Sequence, residues 1–178
     1  SDSSELNKYG ARFKYSKCLN IIDASHDAIT SNITTIEMRR DLRVVLNAFA
    51  EYSIGFGNEF HIKSMSGYNI KSSAFTVSGI SQSVYISDLP NRNRVTGSLF
   101  LFTLPNSNST SPTIVRRGVG TINYQKGIVT INPIVVQSGK VKDGQSIIEI
   151  SACPNSNDVI GLQDLYLQLD ISNSTFEP

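Results

Sequence analysis

The sequence contains no tryptophan, two histidines, two cysteines and two methionines. Each scarcity narrows what the chain does. With His26 and His61 alone, and no zinc-type ligand spacing, metal catalysis is not expected, and no cofactor or metal site is assigned. Cys18 and Cys153 are too few and too far apart in sequence for a disulfide framework or a zinc knuckle, so two separate reduced thiols are expected. Charge is also sparse: charged residues make up 17% of the chain and the net charge is +1. Nucleic acid and anionic membranes need clustered excess Lys and Arg, so neither is expected as a partner. No apolar run approaches the ~20 residues of a membrane-spanning helix. The phosphate-binding, dinucleotide, zincin, nucleophile-elbow and calcium-loop signatures are all missing. Gly55-Phe56-Gly57 and Gly118-Val119-Gly120 lack a third glycine and a following helix, and read as glycines within strands.

Neutral polar residues fill the space, with 25 Ser and 15 Asn among 178 residues. Their side chains compete with the helical backbone for hydrogen bonds and favour turns, caps and strand edges. Together with the patterning, they predict a mainly β fold of antiparallel strands in a sandwich-like arrangement, with minor helix. A chain of this length buries about 70% of its unfolded surface, enough for a core without staples.

Strand signals recur along the chain. Tyr9, Phe13 and Tyr15 alternate loosely, and 23–27 reads as a turn. Tyr52, Ile54 and Phe56 alternate with small residues; 74–78, 83–87, 98–104, 145–151 and 164–171 are further strands. The polar, proline-bounded stretch 105–112 reads as an exposed loop. The clearest unit is a hairpin over 119–131, turning at Gln125-Lys126-Gly127 with Gly127 supplying a positive φ. Segment 33–49 fits two periods. As a strand, Ile36, Met38, Leu42, Val44 and Leu46 share a face with Arg40, and Glu37, Arg39, Asp41 and Arg43 form a mixed-sign ladder opposite. As a helix, Met38, Leu42, Val45 and Phe49 form a stripe; the longer alternation favours the strand.

Candidate functional residues are few. His26 between Asp23 and Asp27 reads as part of a turn rather than a base or cation site, and His61 reads as a structural residue in a strand 60–62. Asn32, Asn108 and Asn173 head Asn-x-Ser/Thr triplets that such a composition produces by chance. Arg40 lies on the apolar face of its strand, where a guanidinium requires a carboxylate or carbonyl partner. It marks either an interface anchor or a helical segment. Leu165, Leu167 and Leu169 form an apolar strip on a segment, 162–172, that contains no Lys, Pro or Gly to guard an edge. Arg40, Leu165, Leu167 and Leu169 are therefore the candidate interface. A structural assembly domain is favoured over a β-sandwich module binding a receptor or carbohydrate at the tip of a fibre, and over an enzyme.

Several stretches carry a more specific resemblance. Phe13-Lys14-Tyr15-Ser16-Lys17, Ile22-Asp23, Asp27-Ala28-Ile29-Thr30-Ser31-Asn32, Glu37-Met38-Arg39-Arg40, Tyr52 to Asn58 and Gly120 to Ile131 together resemble the C-terminal region of the large baseplate wedge subunit of T-even-type contractile-tailed bacteriophages, the gene product six family of J-like baseplate proteins. The resemblance implies a non-enzymatic virion protein of the tail baseplate, assembled in the host cytoplasm. Residues 1–178 would be a single C-terminal fragment of a larger wedge protein, in one or two lobes, as the start Ser1-Asp2-Ser3-Ser4-Glu5 also suggests. The implied partners are other wedge subunits and the chain itself, as a homodimer that contributes to a ring. That ring would accommodate the rearrangement that triggers sheath contraction. No catalytic residues are implied.

Overall fold

The computed structural model describes residues 20–21, 33–105, 111–155 and 165–171; side chains are described from Glu37 to Pro105 and from Ser111 to Asn155. The described residues form strands, turns and loops with no helix. All strand pairs are antiparallel, as the composition and alternation predict.

The first sheet contains β1 (Asn20–Ile21), β2 (Ile33–Arg43), β4 (Ile70–Ser72), β10 (Lys140–Lys142), β11 (Gln145–Ala152) and β12 (Leu165–Ile171). β11 pairs along one side with β2 and along the other with β10 and then β4. The second sheet contains β3 (Phe49–Gly55), β5 (Phe75–Val77), β6 (Ile80–Pro90), β7 (Thr96–Thr103), β8 (Thr113–Asn123) and β9 (Ile128–Ser138). Here β5 to β9 follow one another, and β9 pairs with both β8 and β5, so the sheet closes into a barrel. β3 is appended to the outside of that ring along β9. The arrangement is thus barrel-like rather than an open sandwich. Closure follows from the length of β9: its first half serves β8 and its second half β5. Bulges in β8 opposite Leu99–Phe100 and Leu101–Phe102 supply bending of the kind a closed sheet needs.

Period-two alternation places Val84 and Ile86 of β6, Leu99 and Leu101 of β7, and Val129 and Ile131 of β9 inside, all at most 2% exposed. Each such side chain contributes roughly 1.5–3 kcal/mol on burial. Met38 and Leu42 of β2 and Ile148 and Ile150 of β11 join the same core, which also holds Ile54 and Phe56. The segment 33–43 is therefore a strand, with Met38 and Leu42 on its buried face and Val44, just past its end, buried as well. Leu46 departs from the predicted face: it is exposed beyond the strand end, in the 44–48 turn.

Three expectations are corrected or extended. Cys153 does not carry a free thiol: it is buried and disulfide-bonded, and no free cysteine occurs among the described residues. Distance along the chain was a poor guide to distance in space. The antiparallel ladder returns the end of β11 beside β2, with Ala152 opposite Met38. His61 lies in a loop rather than a strand; only Phe60 makes a bridge, to Pro154, and the His61 ring meets Asn155 Oδ1 at 3.2 Å. The hairpin at 119–131 is present, in longer form, with Gly127 at φ +69. Cys18, His26, the 23–27 turn, the Tyr9–Tyr15 alternation, Asn32, Asn108 and Asn173 lie outside the described residues.

Candidate assembly interface and its structural support

β2 is the hub of the first sheet. On the face opposite Met38 and Leu42, Asp41 stands directly opposite Glu149 of β11, a like-charged pair that is unfavourable by itself. Cations from three directions offset it. Lys142 Nζ donates to Asp41 at 2.8 Å, Lys140 Nζ donates to Glu149 at 2.9 Å, and Arg39 lies 3.7 and 3.8 Å from the two carboxylates. This is the mixed-sign ladder predicted from the sequence. The lysine ends of these pairs are exposed, while the Asp41 and Glu149 carboxylates are only 11% and 16% exposed, so the two like charges depend on these cations for compensation.

Arg40, on the other face of β2, is half-buried, and its Nη1 donates to the Gly55 carbonyl of β3 at 2.5 Å. The carbonyl partner that the sequence required is therefore within the chain, and it joins the two sheets. The four candidate interface residues converge in register: Leu165, Leu167 and Leu169 of β12 stand opposite Arg40, Met38 and Ile36 of β2. Because Met38, Arg39 and Arg40 pair with β11 on one side and β12 on the other, β12 lies on the side of β2 away from β11. Among the described residues nothing pairs with the outer side of β12.

A buried polar centre that sequence reasoning missed holds the sheets together. Asp88 continues the inward row of Val84 and Ile86 in β6 and is fully buried. Its Oδ1 accepts the backbone N–H groups of Asn69 and Ile70 at 2.7 and 2.8 Å. Its Oδ2 accepts Asn69 Nδ2 at 2.9 Å and the Tyr124 hydroxyl at 2.5 Å. Its own carbonyl accepts Tyr68 N–H at 3.0 Å. Ser87 Oγ donates to Ile70 O, and Ser72 Oγ accepts Ile86 N–H. The barrel thereby grips β4, which belongs to the first sheet. The same contacts hold Gly67 and Tyr68 at positive φ, and the Tyr68 ring packs edge-on against Phe100 and Phe102. Tyr68 and Tyr85 are thus part of an aromatic cluster on the barrel wall.

Burial, the neighbouring Asp88 charge and the hydrogen bond to it push the Tyr124 hydroxyl far above its ordinary pKa of 10.0. The folded protein keeps this proton where the unfolded chain loses it. The stability tied to it is complete below pH 10 and declines as pH rises beyond. Between pH 9 and 11.5 the loss reaches about 2 kcal/mol for one tyrosine held neutral. Urea denaturation across that range should show the decline in the native protein and a curve flatter by that amount in Tyr124→Phe. Parallel curves would mean that the hydroxyl ionises freely in the folded state.

No group of three or more His, Cys, Asp or Glu side chains suited to a metal occurs among the described residues. No helix there is long and apolar enough to cross a membrane. The described residues thus form a two-sheet β body with a pinned junction and a mixed-charge face. Residues 2–41 match the family described as baseplate structural protein gp6, C-terminal domain III, in agreement with the resemblance read from the sequence. The match indicates a phage baseplate structural protein, located in the virion tail baseplate and associating with other baseplate components. It overlaps the described structure at β1 and in β2 as far as Asp41. No curated protein and no solved structure matches the chain.

Proposed function

We propose that this chain is a non-enzymatic component of the baseplate wedge, that it self-associates, and that the resulting ring links wedges while the baseplate rearranges to trigger sheath contraction. The chain is then the C-terminal fragment of a larger wedge protein assembled in the host cytoplasm, with other wedge subunits as its remaining partners. The observation that carries this reading is the gp6 match over residues 2–41, which includes most of β2, the strand that pairs with β12. An edge seven residues long with no Lys, Pro or Gly lacks the usual guards against pairing. A two-fold contact through it uses one patch twice, and a stable interface needs about 800 Å² per partner. Neither nucleic acid nor membrane is a partner in this reading, since the ladder on β2 and β11 carries both signs.

Self-association is tested by light scattering coupled to size exclusion, from micromolar to near-millimolar protein. The expected result is a concentration-dependent rise to twice the monomer mass of 19.5 kDa. A mass that stays at the monomer value throughout refutes the dimer and weakens the ring.

A further inference from the structure

Among the described residues nothing pairs with the outer side of β3, and this edge borders a groove. Tyr52 and Ile54 stand opposite Ile131 and Val129 of β9, and Phe56 N–H donates to the Gly127 carbonyl at the end of the same ladder. Backbone groups alternate in direction along a strand, so if Phe56, Ile54 and Tyr52 turn toward β9, Ser53 and Gly55 turn away from it. The Arg40 contact agrees, since the Gly55 carbonyl meets that guanidinium on the outer side. Beyond this edge lies an open groove of about 760 Å³, walled by β3 from Glu51 to Gly55, by β2 from Arg40 to Arg43, and by the β10–β11 turn. A strand residue fills roughly 160 Å³, from its ~3.3 Å rise, ~4.8 Å strand spacing and ~10 Å face-to-face spacing. The groove therefore has room for four or five extended residues, the length of the edge it borders.

We propose that this groove receives an extended strand from a partner protein, which adds to the outer edge of β3. Arg40 already occupies one end of the edge, donating to Gly55 O as the first N–H of an added strand would. Ser53 offers the next outward N–H and carbonyl. Glu51 on the β3 wall and Arg43 on the β2 wall are both exposed. They favour an occupant carrying a cation toward β3 and an anion toward β2. Main-chain hydrogen bonds would give such a complex its affinity and the two charges its register. This goes beyond the baseplate reading and does not depend on pairing through β12: the β12 contact is read from mass, the β3 contact from individual amides.

The test uses the whole chain and a synthetic seven-residue peptide, Thr-Lys-Val-Thr-Val-Asp-Thr, capped at both ends. The control is the same peptide N-methylated at alternate amides, which keeps the side chains and removes one edge of donors. Amide hydrogen exchange is followed by NMR. Saturating peptide should slow exchange at Ser53 and Gly55 at least tenfold and leave Tyr52 and Ile54 unchanged; the N-methylated peptide should have no effect. Ser53→Pro removes the outward N–H without touching the β9 ladder and should abolish the slowing at Gly55. Equal slowing by both peptides, or none by either, overturns the proposal. So does protection that appears without peptide and grows with protein concentration, because the edge then belongs to a second copy.

Discussion

Asp88→Ala should lower the unfolding free energy by about 3–5 kcal/mol, the range for removing one partner of a buried charged group. Asp88 is fully buried, and its carboxylate accepts four hydrogen bonds of 2.5–2.9 Å, from Asn69 N–H, Ile70 N–H, Asn69 Nδ2 and Tyr124 OH, and a longer one of 3.4 Å from Ser87 Oγ, which also donates to Ile70 O. Alanine leaves all four donors in a dry junction, and each unsatisfied donor is worth roughly 1–3 kcal/mol before relaxation. Asp88→Asn separates geometry from charge. Its carbonyl oxygen still accepts the two backbone N–H groups, but its amide faces Asn69 Nδ2 and the tyrosine hydroxyl. Of these, only the hydroxyl can turn to accept, so a loss of about 2 kcal/mol is expected. Urea denaturation measures both variants. Backbone amides from Tyr68 to Ile70 should also exchange faster in Asp88→Ala, since the pin holds that segment. A loss below 1 kcal/mol for alanine would mean that water reaches the junction and replaces the carboxylate.

The position of Asp88 also explains what the sequence could and could not show. Alternation finds strands where one face is apolar, and it located β5, β7, β11 and β12 to within about two residues. It set β6 at 83–87, short of its observed span Ile80–Pro90. In the structure the inward row continues through Asp88, with polarity matched by donors from Asn69 and Tyr124, remote in sequence. The alternation Val84, Ile86, Asp88 was visible; the partners that make Asp88 tolerable inside were not. The same limit applies to Arg40. Its awkward place among apolar neighbours was legible and demanded a carbonyl or carboxylate. That the partner is Gly55 depends on how β2 and β3 cross. Barrel closure was illegible for a related reason: the alternation ended the hairpin at 131, whereas β9 runs on to Ser138 and its second half pairs with β5. The disulfide at Cys153 was misjudged from spacing, a quantity that antiparallel pairing overrides. The edge status of β12 depended on strand order, so its sequence showed only the missing guards.

Gly127→Asn should cost about 3 kcal/mol, although asparagine is among the residues that best tolerate the left-handed region. From the sequence, Gly127 was needed for φ alone, and it does adopt φ +69 in the turn after β8. Strain at such a position is worth roughly 1–3 kcal/mol for most side chains and little for Asn. The structure adds a second demand. A Cβ on Gly127 would lie 2.1 Å from the Asn58 carbonyl oxygen, because the chain leaving β3 wraps over the hairpin tip. Phe56 N–H donates to Gly127 O at 2.8 Å and Phe60 N–H to Tyr124 O at 2.7 Å, so the wrapping segment is held from both ends and has little room to yield. Any Cβ then forces backbone apart, an overpacking penalty of roughly 1–3 kcal/mol that falls on Asn, Ala and Val alike. Val carries the strain as well and should lose about 4 kcal/mol. Gly144 is the internal control, with φ +76 and nothing within 4 Å of where a Cβ would stand, so Gly144→Asn should change stability by a few tenths of a kcal/mol. Denaturation midpoints for the two asparagine variants decide the matter. A large loss at Gly127 beside a small one at Gly144 establishes that the close approach of β3's exit, and not φ, makes glycine obligatory at the hairpin tip. Equal small losses would show that the exit segment shifts aside, and that the hairpin folds without it.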